Sequence, residues 1–310
     1  MRARALATLA LAAAIVAALL LPRLASGAQL FFWETVLVQM LYALSVNLLI
    51  GHAGIPSFGQ AAFFGVGAYA VGLASALVPP PLLLLAAMLL AALLALAVGA
   101  VALRTHGIAF AMVTLAVGQA LYTASLHIPA LGGDNGLAGI DRGSLFAIGL
   151  GGAAAFWYLC AACVGLGILA LWTVHASPFG NLLRALRDDP LRTRFLGIDV
   201  RAYRLGAFVV AGAFGGLAGG LFAYANQIVT PDALAWVRSG DPIIMALIGG
   251  MSTFWGPMLG AFVYVWVTHA FSELTPAWIL YVGIVFLFFV IVLPKGLLSL
   301  LSVRRQRSGS

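Results

Sequence analysis

The chain has 310 residues, of which 63% are hydrophobic and only 8% are charged. A soluble globular domain carries roughly 25% charged residues, which excludes water as the solvent for most of this protein's surface. The formal net charge of +7 does not indicate nucleic-acid binding, because thirteen of the sixteen Lys and Arg residues lie in short segments between apolar runs and at the two ends. That distribution is the positive-inside pattern of a membrane protein.

Apolar runs of about 17–25 residues recur along the chain, and this is the length that crosses ~30 Å of hydrocarbon as a helix. Backbone groups in lipid must pair internally, and the alternating polarity of a β-barrel strand is not visible. The sequence therefore predicts an all-α polytopic membrane protein with about 8–10 transmembrane helices and broken or re-entrant segments. The predicted spans are 5–21, 30–50, 63–78, 82–103, 107–128, 153–174, 205–226, 257–271 and 277–293.

The first apolar run, 5–21, follows Arg2 and Arg4 and has two interpretations. It is either a retained first helix, which we favour, or a signal peptide cleaved near the small residues Ala25-Ser26-Gly27.

Basic residues predict the orientation. They place the N-terminus, the turn around Arg104, the loop 175–204 and the tail 295–310 in the cytoplasm. Nine spans would leave the tail outside. A short, broken tenth crossing at 242–256 would bring the tail back to the cytoplasmic side, so both termini are predicted to be cytoplasmic.

Two segments interrupt the apolar runs with glycine, proline and polar residues. The first, 51–62, leads into the helix from Phe63, and the second, 242–256, leads into the helix from Pro257. Gly and Pro weaken a helix interior, and paired interruptions in two halves point to the translocation pathway of a transporter. The first is either such a break or a tight turn between helices. The residues concerned are Gly51, Gly54, Pro56, Ser57, Gly59, Gln60, Gly65, Gly67, Gly249, Gly250, Gly256 and Pro257.

The span 205–226 carries Gly212, Gly216 and Gly220 at four-residue spacing. Such a stripe lets a second helix approach closely. It is not a phosphate-binding loop, because no Gly-Lys-Ser/Thr follows it.

The loop 175–204 is long for a connection in a compact membrane protein. Asp189 and Pro190 supply an N-cap and a first helical residue, and Gly197 suits the end of that short helix. Apolar and basic residues alternate between them. The physics leaves two interpretations open: a helix lying on anionic lipid, or an element that docks into a cytoplasmic partner.

Groups that carry enzyme chemistry are scarce. The five histidines lie near span ends without metal-ligand spacing, Cys160 and Cys163 lie in an apolar run, and most acidic residues fall in predicted loops. We therefore expect no metal site, no catalytic residues and no cofactor in this chain. An ion-coupled secondary transporter would need acidic ligands at the membrane midplane, and a membrane enzyme would need an acid/base cluster.

Five blocks in order resemble the LivM-type permeases of branched-chain amino-acid ABC importers. They are Asn47 to Tyr69, Arg104 to Gln119, Gly132 to Leu137, Phe179 to Val200 and Ile248 to Pro257. The sequence departs from the family at Ile55-Pro56, where a Gln-Leu pair is usual, and at Asp188-Asp189, where Asn-Glu is usual.

The resemblance implies an ABC importer permease of type II-like fold in the bacterial inner membrane. Its implied partners are a LivH-type second permease, two cytoplasmic ATPases that bind the ATP, and a soluble binding protein. Its implied substrates are leucine, isoleucine and valine, although the wider family extends to urea and short amides. We divide the chain into an N-terminal segment 1–29, two permease halves 30–174 and 205–294, the loop 175–204 and the tail 295–310.

The resemblance also assigns roles within the chain. It implies that the loop holds the coupling helix, with the ATPase-coupling residues Arg184, Arg187, Asp188, Asp189, Pro190, Arg192, Arg194, Phe195 and Gly197. Ser57, Gln60, Thr114 and Gln119 are the residues we expect to line the pathway.

Overall fold

The computed structural model describes residues 20–145, 148–274, 277–292 and 296–298. Within them the chain is an all-α bundle, which confirms the predicted fold class. Most of the predicted span 5–21 and of the tail 295–310 lies outside the described residues.

Eleven helices of six or more residues are found in this described part, besides one π-helical turn. They are α1 (Gly27–Asn47), α2 (Gln60–Ala74), α3 (Pro80–Ala102), α4 (Ile108–His127), α5 (Ala153–Ala176), α6 (Pro178–Asp188), α7 (Pro190–Phe195), α8 (Val200–Asn226), α9 (Val237–Gly249), α10 (Gly256–Leu274) and α11 (Trp278–Val292). The π-helical turn, Leu48–Ala53, continues α1.

Five helices in the described part are long and apolar enough to cross a membrane. They are α1 with its π-helical extension, α3, α4, α5 and α8. Each matches a predicted span to within a few residues at most ends, although α8 begins five residues before its predicted start. Asp199 explains that earlier start, because its side chain accepts hydrogen bonds from the amides of Arg201 and Ala202 and so caps the helix.

Helix α8 lies at the centre of the bundle and packs closely against α2 and α3. Along α3 the buried residues Ala87, Ala91 and Ala95 recur every four positions and face α8. A Cβ added to Gly216 would run into the Cβ of Ala91, and one added to Gly212 would lie 2.5 Å from that of Ala95. Small residues on both helices therefore bring the two backbones together.

The opposite face of α3 is exposed and consists of leucines. Leu82, Leu85, Leu89, Leu93 and Leu96 follow one another at helical spacing on it. Burial thus distinguishes two faces of a helix that is apolar all round.

Helix α2 packs against another side of α8 through backbone contacts. A Cβ on Gly67 would collide with the carbonyl of Gly216, and a Cβ on Gly219 would collide with the carbonyl of Phe64. The predicted stripe of Gly212, Gly216 and Gly220 therefore faces mainly α3, whereas Gly219 faces α2.

The second interruption begins later than the sequence predicts. Helix α9 starts at Val237 and contains Pro242, and its break covers 250–255 rather than 242–256. The segment 228–251 nevertheless runs along the bundle, since Val229 lies beside Gly72 and Met251 lies beside Gly51.

Short strands and a basic side chain close the end of the bundle opposite the loop 175–204. Strand β1 (Leu137–Ala138) pairs antiparallel with β4 (Ile228–Val229), and β2 (Ser144–Leu145) pairs with β3 (Ile148–Gly149). Arg142 donates hydrogen bonds to the carbonyls of Tyr224 and Ala225, both at 3.0 Å, and so caps the C-terminus of α8. Burial lowers the pKa of the Arg142 guanidinium, and Glu34 opposes that shift.

Candidate functional site

The first interruption, which we call the first break, comprises residues 48–59. Leu48–Ala53 forms a π-helical turn, Gly54 has φ +66°, and helix α2 begins only at Gln60. π-Helical turns inside longer helices are frequent at functional sites. The break is thus a local change of helix type followed by non-helical backbone, and it lies three residues before the predicted segment 51–62.

The loop 175–204, which we call the arginine-rich loop, contains two helices with defined starts. Ser177 caps α6 by accepting from the amide of Gly180, and Asp189 caps α7 by accepting from the amide of Arg192 at 2.9 Å. Pro190 is the first residue of α7, as predicted, and Gly197 follows it with φ +81°.

The two helices of this loop present their apolar residues in opposite directions. Leu183 and Leu186 of α6 are fully buried against the bundle. Leu191, Phe195 and Leu196 in and after α7 are exposed, with Phe195 at 83%. The loop is therefore anchored through α6 and projects apolar side chains through α7.

The arginine-rich loop contacts the first break directly. The guanidinium of Arg187 donates a hydrogen bond to the carbonyl of Gly51. A Cβ added to Gly54 would lie 2.7 Å from Cγ of Arg187, so this glycine admits the arginine stem. The exposed neighbour Asp188 pairs with Arg187 at 3.1 Å.

The second interruption reaches the same place. We call residues 250–255 the second break. The side-chain amide of Asn47 lies 3.4 Å from the carbonyl of Thr253, and a Cβ on Gly51 would collide with the carbonyl of Met251. Gly250 has φ +112°, which favours glycine there. Both breaks thus meet beside the arginine-rich loop.

Glycines also bring the two helices that flank the second break together. A Cβ on Gly249 would collide with the carbonyl of Gly256, and Pro257 is buried at the start of α10. Thr253 caps this start by accepting from the amide of Gly256 at 3.1 Å.

A ring cluster lies at this junction. The rings of His52 and His175 are 4.7 Å apart, and those of Trp172 and Phe254 are 5.0 Å apart. Arg184 of α6 approaches Nδ1 of His175 at 3.2 Å. The cluster joins α5, the arginine-rich loop and both breaks through packed side chains.

Three of the four expected pathway residues come together. Ser57, Gln60 and Thr114 are buried, and Oγ1 of Thr114 accepts from the amide of Phe58 at 3.3 Å. Gly59 permits this approach, since its Cβ would lie 2.6 Å from the carbonyl of Thr114.

The fourth expected pathway residue does not join them. Gln119 is exposed on α4, because a separation of five residues turns its side chain about 140° away from Thr114. Gln119 therefore lies apart from the other three residues, and its place on the pathway stays a prediction.

A side chain of α9 caps the start of α2. Oγ of Ser239 accepts from the amide of Ala61 at 2.8 Å and satisfies a first-turn donor. The neighbouring Gln60 amide is buried, and neither of its polar atoms has a partner among the described residues. Helix α9 is thus linked to the segment that follows the first break.

Two residues of opposite charge lie on a packed helix in the second half of the chain. Arg238 and Asp241 belong to α9, and the hydroxyl of Tyr264 on α10 donates to Asp241 at 2.7 Å. Glu34 is buried within α1. The signal in the sequence was the three-residue spacing of Arg238 and Asp241, which puts both on one face of a helix.

A cavity of about 880 Å³ separates the arginine-rich loop from the turn that joins α3 to α4. Its lining carries Arg104, Arg194, Arg201 and Arg204, with Asp199 as an acidic member. This end of the molecule is therefore strongly basic.

An apolar helical bundle with two interruptions that meet a projecting loop has the architecture of a membrane transport protein. Residues 29–293 match the family described as branched-chain amino acid transport system / permease component. The chain belongs to this family, as its sequence blocks indicated.

Curated relatives agree with this membership. The high-affinity branched-chain amino acid transport system permease protein LivM of Escherichia coli (strain K12) is 26% identical over 94% of this chain and 74% of its own length. The probable branched-chain amino acid transport permease protein LivM of Methanocaldococcus jannaschii is 24% identical over 83% of this chain and 89% of its own length. A probable LivH of that organism is 30% identical over 32% of this chain and 30% of its own length. No solved structure matches the chain.

Proposed function

We propose that this chain is the membrane permease subunit of an ABC importer that carries leucine, isoleucine and valine across the bacterial inner membrane. A LivH-type permease would pair with it, two cytoplasmic ATPases would drive it, and a soluble binding protein would deliver the substrate. The family membership and the names of the relatives support the transport class and the substrate.

One observation carries the coupling part of this proposal. The arginine-rich loop projects Leu191, Phe195 and Leu196 outward from α7, while Arg187 of the same loop bonds to the carbonyl of Gly51 in the first break. Exposed apolar side chains rimmed by charge mark a protein interaction site. The loop is therefore suited to link an external subunit to the interrupted helices.

The proposed mechanism follows the contacts. Movement of α7 with the ATPases would be transmitted through α6, whose Leu183 and Leu186 are packed in the bundle. Arg187 would transmit this movement to the first break, and the contact between Gly51 and Met251 would transmit it to the second break. Non-helical backbone yields at both breaks, and this opens and closes the pathway between the neighbouring helices.

The test is Phe195→Asp in the complete importer, with the ATPases and second permease co-expressed. A buried aromatic anchor contributes about 2 kcal/mol or more to an interface, so we expect roughly a 30-fold weaker association with the ATPases. Leucine-stimulated ATP hydrolysis should fall with it. Both are measured on the purified complex, by ATPase titration and phosphate release.

Leu77→Asp is the matched control, because Leu77 is equally exposed at 83% but lies in the turn between α2 and α3 at the opposite end of the bundle. This variant should retain its ATPases. Equal ATPase affinity in the two variants would contradict the assignment of the loop.

A further inference from the structure

A second cavity, of about 660 Å³, lies in the half of the bundle farther from the arginine-rich loop. We call it the α9 cavity. It extends from Ala28 near the start of α1 to Gln39 in the middle of that helix, and α8, α9, α10 and α11 complete its wall. Its size falls in the range of small-molecule sites.

Two opposite charges line the α9 cavity without satisfying each other. Nη1 of Arg238 is 3.9 Å from Oδ2 of Asp241, which is beyond hydrogen-bonding distance. The other carboxylate oxygen, Oδ1, accepts from the hydroxyl of Tyr264. Nε of Arg238 has no partner among the described residues. The guanidinium and Oδ2 of Asp241 therefore form only a long ion pair, which a ligand with both charges can bridge.

Aromatic rings hold the guanidinium in place. Its central carbon lies 4.8 Å from the ring centroid of Phe222 and 5.3 Å from that of Phe64. Cation–π contacts of this kind orient an arginine through the face of its guanidinium and do not occupy the N–H donors in its plane. Arg238 is thus positioned before any ligand arrives.

The rest of the lining is mostly apolar. Ile244, Val282 and Phe286 form one wall, and Phe31 and Phe32 of α1 form another. The side-chain oxygens of Gln39 and Thr268 add two buried acceptors without partners among the described residues. The cavity therefore offers a positive group, a negative group and an apolar surface together.

We propose that the α9 cavity binds a free amino acid with an apolar side chain, its carboxylate at Arg238 and its ammonium group at Asp241. The inference rests on the proposed function and names a transport site within this chain. A lipid tail or a helix of the second permease would fill the apolar part, but neither requires both charges.

Occupancy of the cavity is connected to the first break. Ser239 lies between Arg238 and Asp241 in α9, and its hydroxyl caps the first turn of α2 through Ala61. A ligand that draws Arg238 and Asp241 together would shift the turn that holds this cap. The site is thus placed where substrate binding and movement of the break influence each other.

The experiment measures binding of radiolabelled leucine to the purified complex of both permeases and the ATPases, without the binding protein. Two analogues are competed against it: 3-methylbutylamine, which lacks the carboxylate, and 4-methylpentanoate, which lacks the ammonium group. Wild type should prefer leucine to each by about tenfold or more, because each analogue leaves one half-buried charge of the site without a ligand group of opposite sign.

The variants are Arg238→Gln and Asp241→Asn. Arg238→Gln should weaken the binding of leucine about tenfold or more and leave the binding of 3-methylbutylamine nearly unchanged. Asp241→Asn should also weaken leucine but leave the binding of 4-methylpentanoate nearly unchanged. If Arg238→Gln does not fold, Arg238→Lys replaces it, because lysine keeps the positive charge but lacks the paired donors of the guanidinium. Asp232→Asn is the control, since Asp232 is exposed and outside the cavity.

The outcomes separate the two proposals. A complete importer that accumulates no leucine with its binding protein present contradicts the proposed function. An active importer whose variants lose all three ligands equally, with a lowered Tm, contradicts only the α9 site. Phospholipid that occupies the cavity and is not displaced by leucine contradicts the α9 site as well.

Discussion

Gly51 is the residue at which three parts of the molecule meet. Its carbonyl accepts from Arg187 of the arginine-rich loop, and its Cα faces the side chain of Asn47 and the carbonyl of Met251. A side chain has no room there, because an added Cβ would collide with both Oδ1 of Asn47 and the carbonyl of Met251. The close contact between the two breaks therefore depends on this glycine.

We predict that Gly51→Ala separates the breaks and impairs transport. Overpacking of this kind costs about 1–3 kcal/mol, so Tm in detergent should fall and ATP-driven leucine uptake should drop several-fold. Gly165→Ala is the control, because Gly165 lies in α5 with nothing within 4 Å of an added Cβ. That variant should match wild type or be slightly more stable. Equal behaviour of the two would refute the role of Gly51.

At this scale the sequence was informative where a residue's chemistry determines its conformation. Asp189 and Pro190 predicted the start of α7 because a cap and a fixed φ are local properties. The sequence did not reveal that Gln119 lies apart from Thr114 on the exposed side of α4, since nothing local indicates which side of an apolar helix faces protein. The sequence did not predict that Arg238 and Asp241 lie on a packed helix, because charged residues are rare at membrane depth unless a partner such as Tyr264 compensates.

The element that organises the bundle is α8. Two sets of its glycines face different neighbours: Gly212 and Gly216 face α3, and Gly219 faces α2. Gly215 lies one turn from Gly219 but its added Cβ would be 3.8 Å from Phe63, an ordinary contact distance. Glycines of the same helix thus differ in whether close packing against a neighbouring helix requires them.

We predict that Gly219→Ala and Gly215→Ala have opposite effects. Gly219→Ala forces α2 away from α8 and should lower the free energy of unfolding by about 1–3 kcal/mol. Gly215→Ala gains about 0.5–1 kcal/mol from helix propensity without a collision. Unfolding of both variants in mixed micelles measures the difference, and the reverse order would contradict this packing.

The sequence predicted most elements, and it did so for physical reasons that act locally. Long apolar runs specify spans, and clusters of glycine and proline specify the breaks. It did not reveal that α3 buries alanines and exposes leucines, because both faces are apolar and the pattern carries no polarity signal. It also did not predict that α9 begins at Val237, ahead of the predicted segment 242–256, because its first turns carry charged residues.

Across the whole molecule, the arginine-rich loop and both breaks gather at one end, and the α9 cavity reaches from the other end to mid-depth. A contact path through Arg187, Gly51 and Met251 runs from the loop to the second break, which directly follows α9. The energy source in this proposal lies outside the chain.

We predict that this polypeptide alone does not concentrate leucine. Liposomes that contain only this chain should show no accumulation against a gradient, with or without ATP. Liposomes with the second permease, the ATPases, the binding protein and ATP should accumulate it. Uptake of labelled leucine is the measurement. Accumulation by the isolated chain would indicate an ion-coupled transporter and would contradict the proposed coupling.

The contacts of α2, α3 and α8 restrict how such a transporter moves. Where Gly67 abuts Gly216 and Gly219 abuts Phe64, backbone touches backbone and no flexible side chain lies between. Interfaces of this kind do not deform gradually. Helix α3 adds mainly alanine methyl groups to this contact. We therefore expect these three helices to move as one rigid block, with the motion that admits substrate occurring around it, where the helices are interrupted.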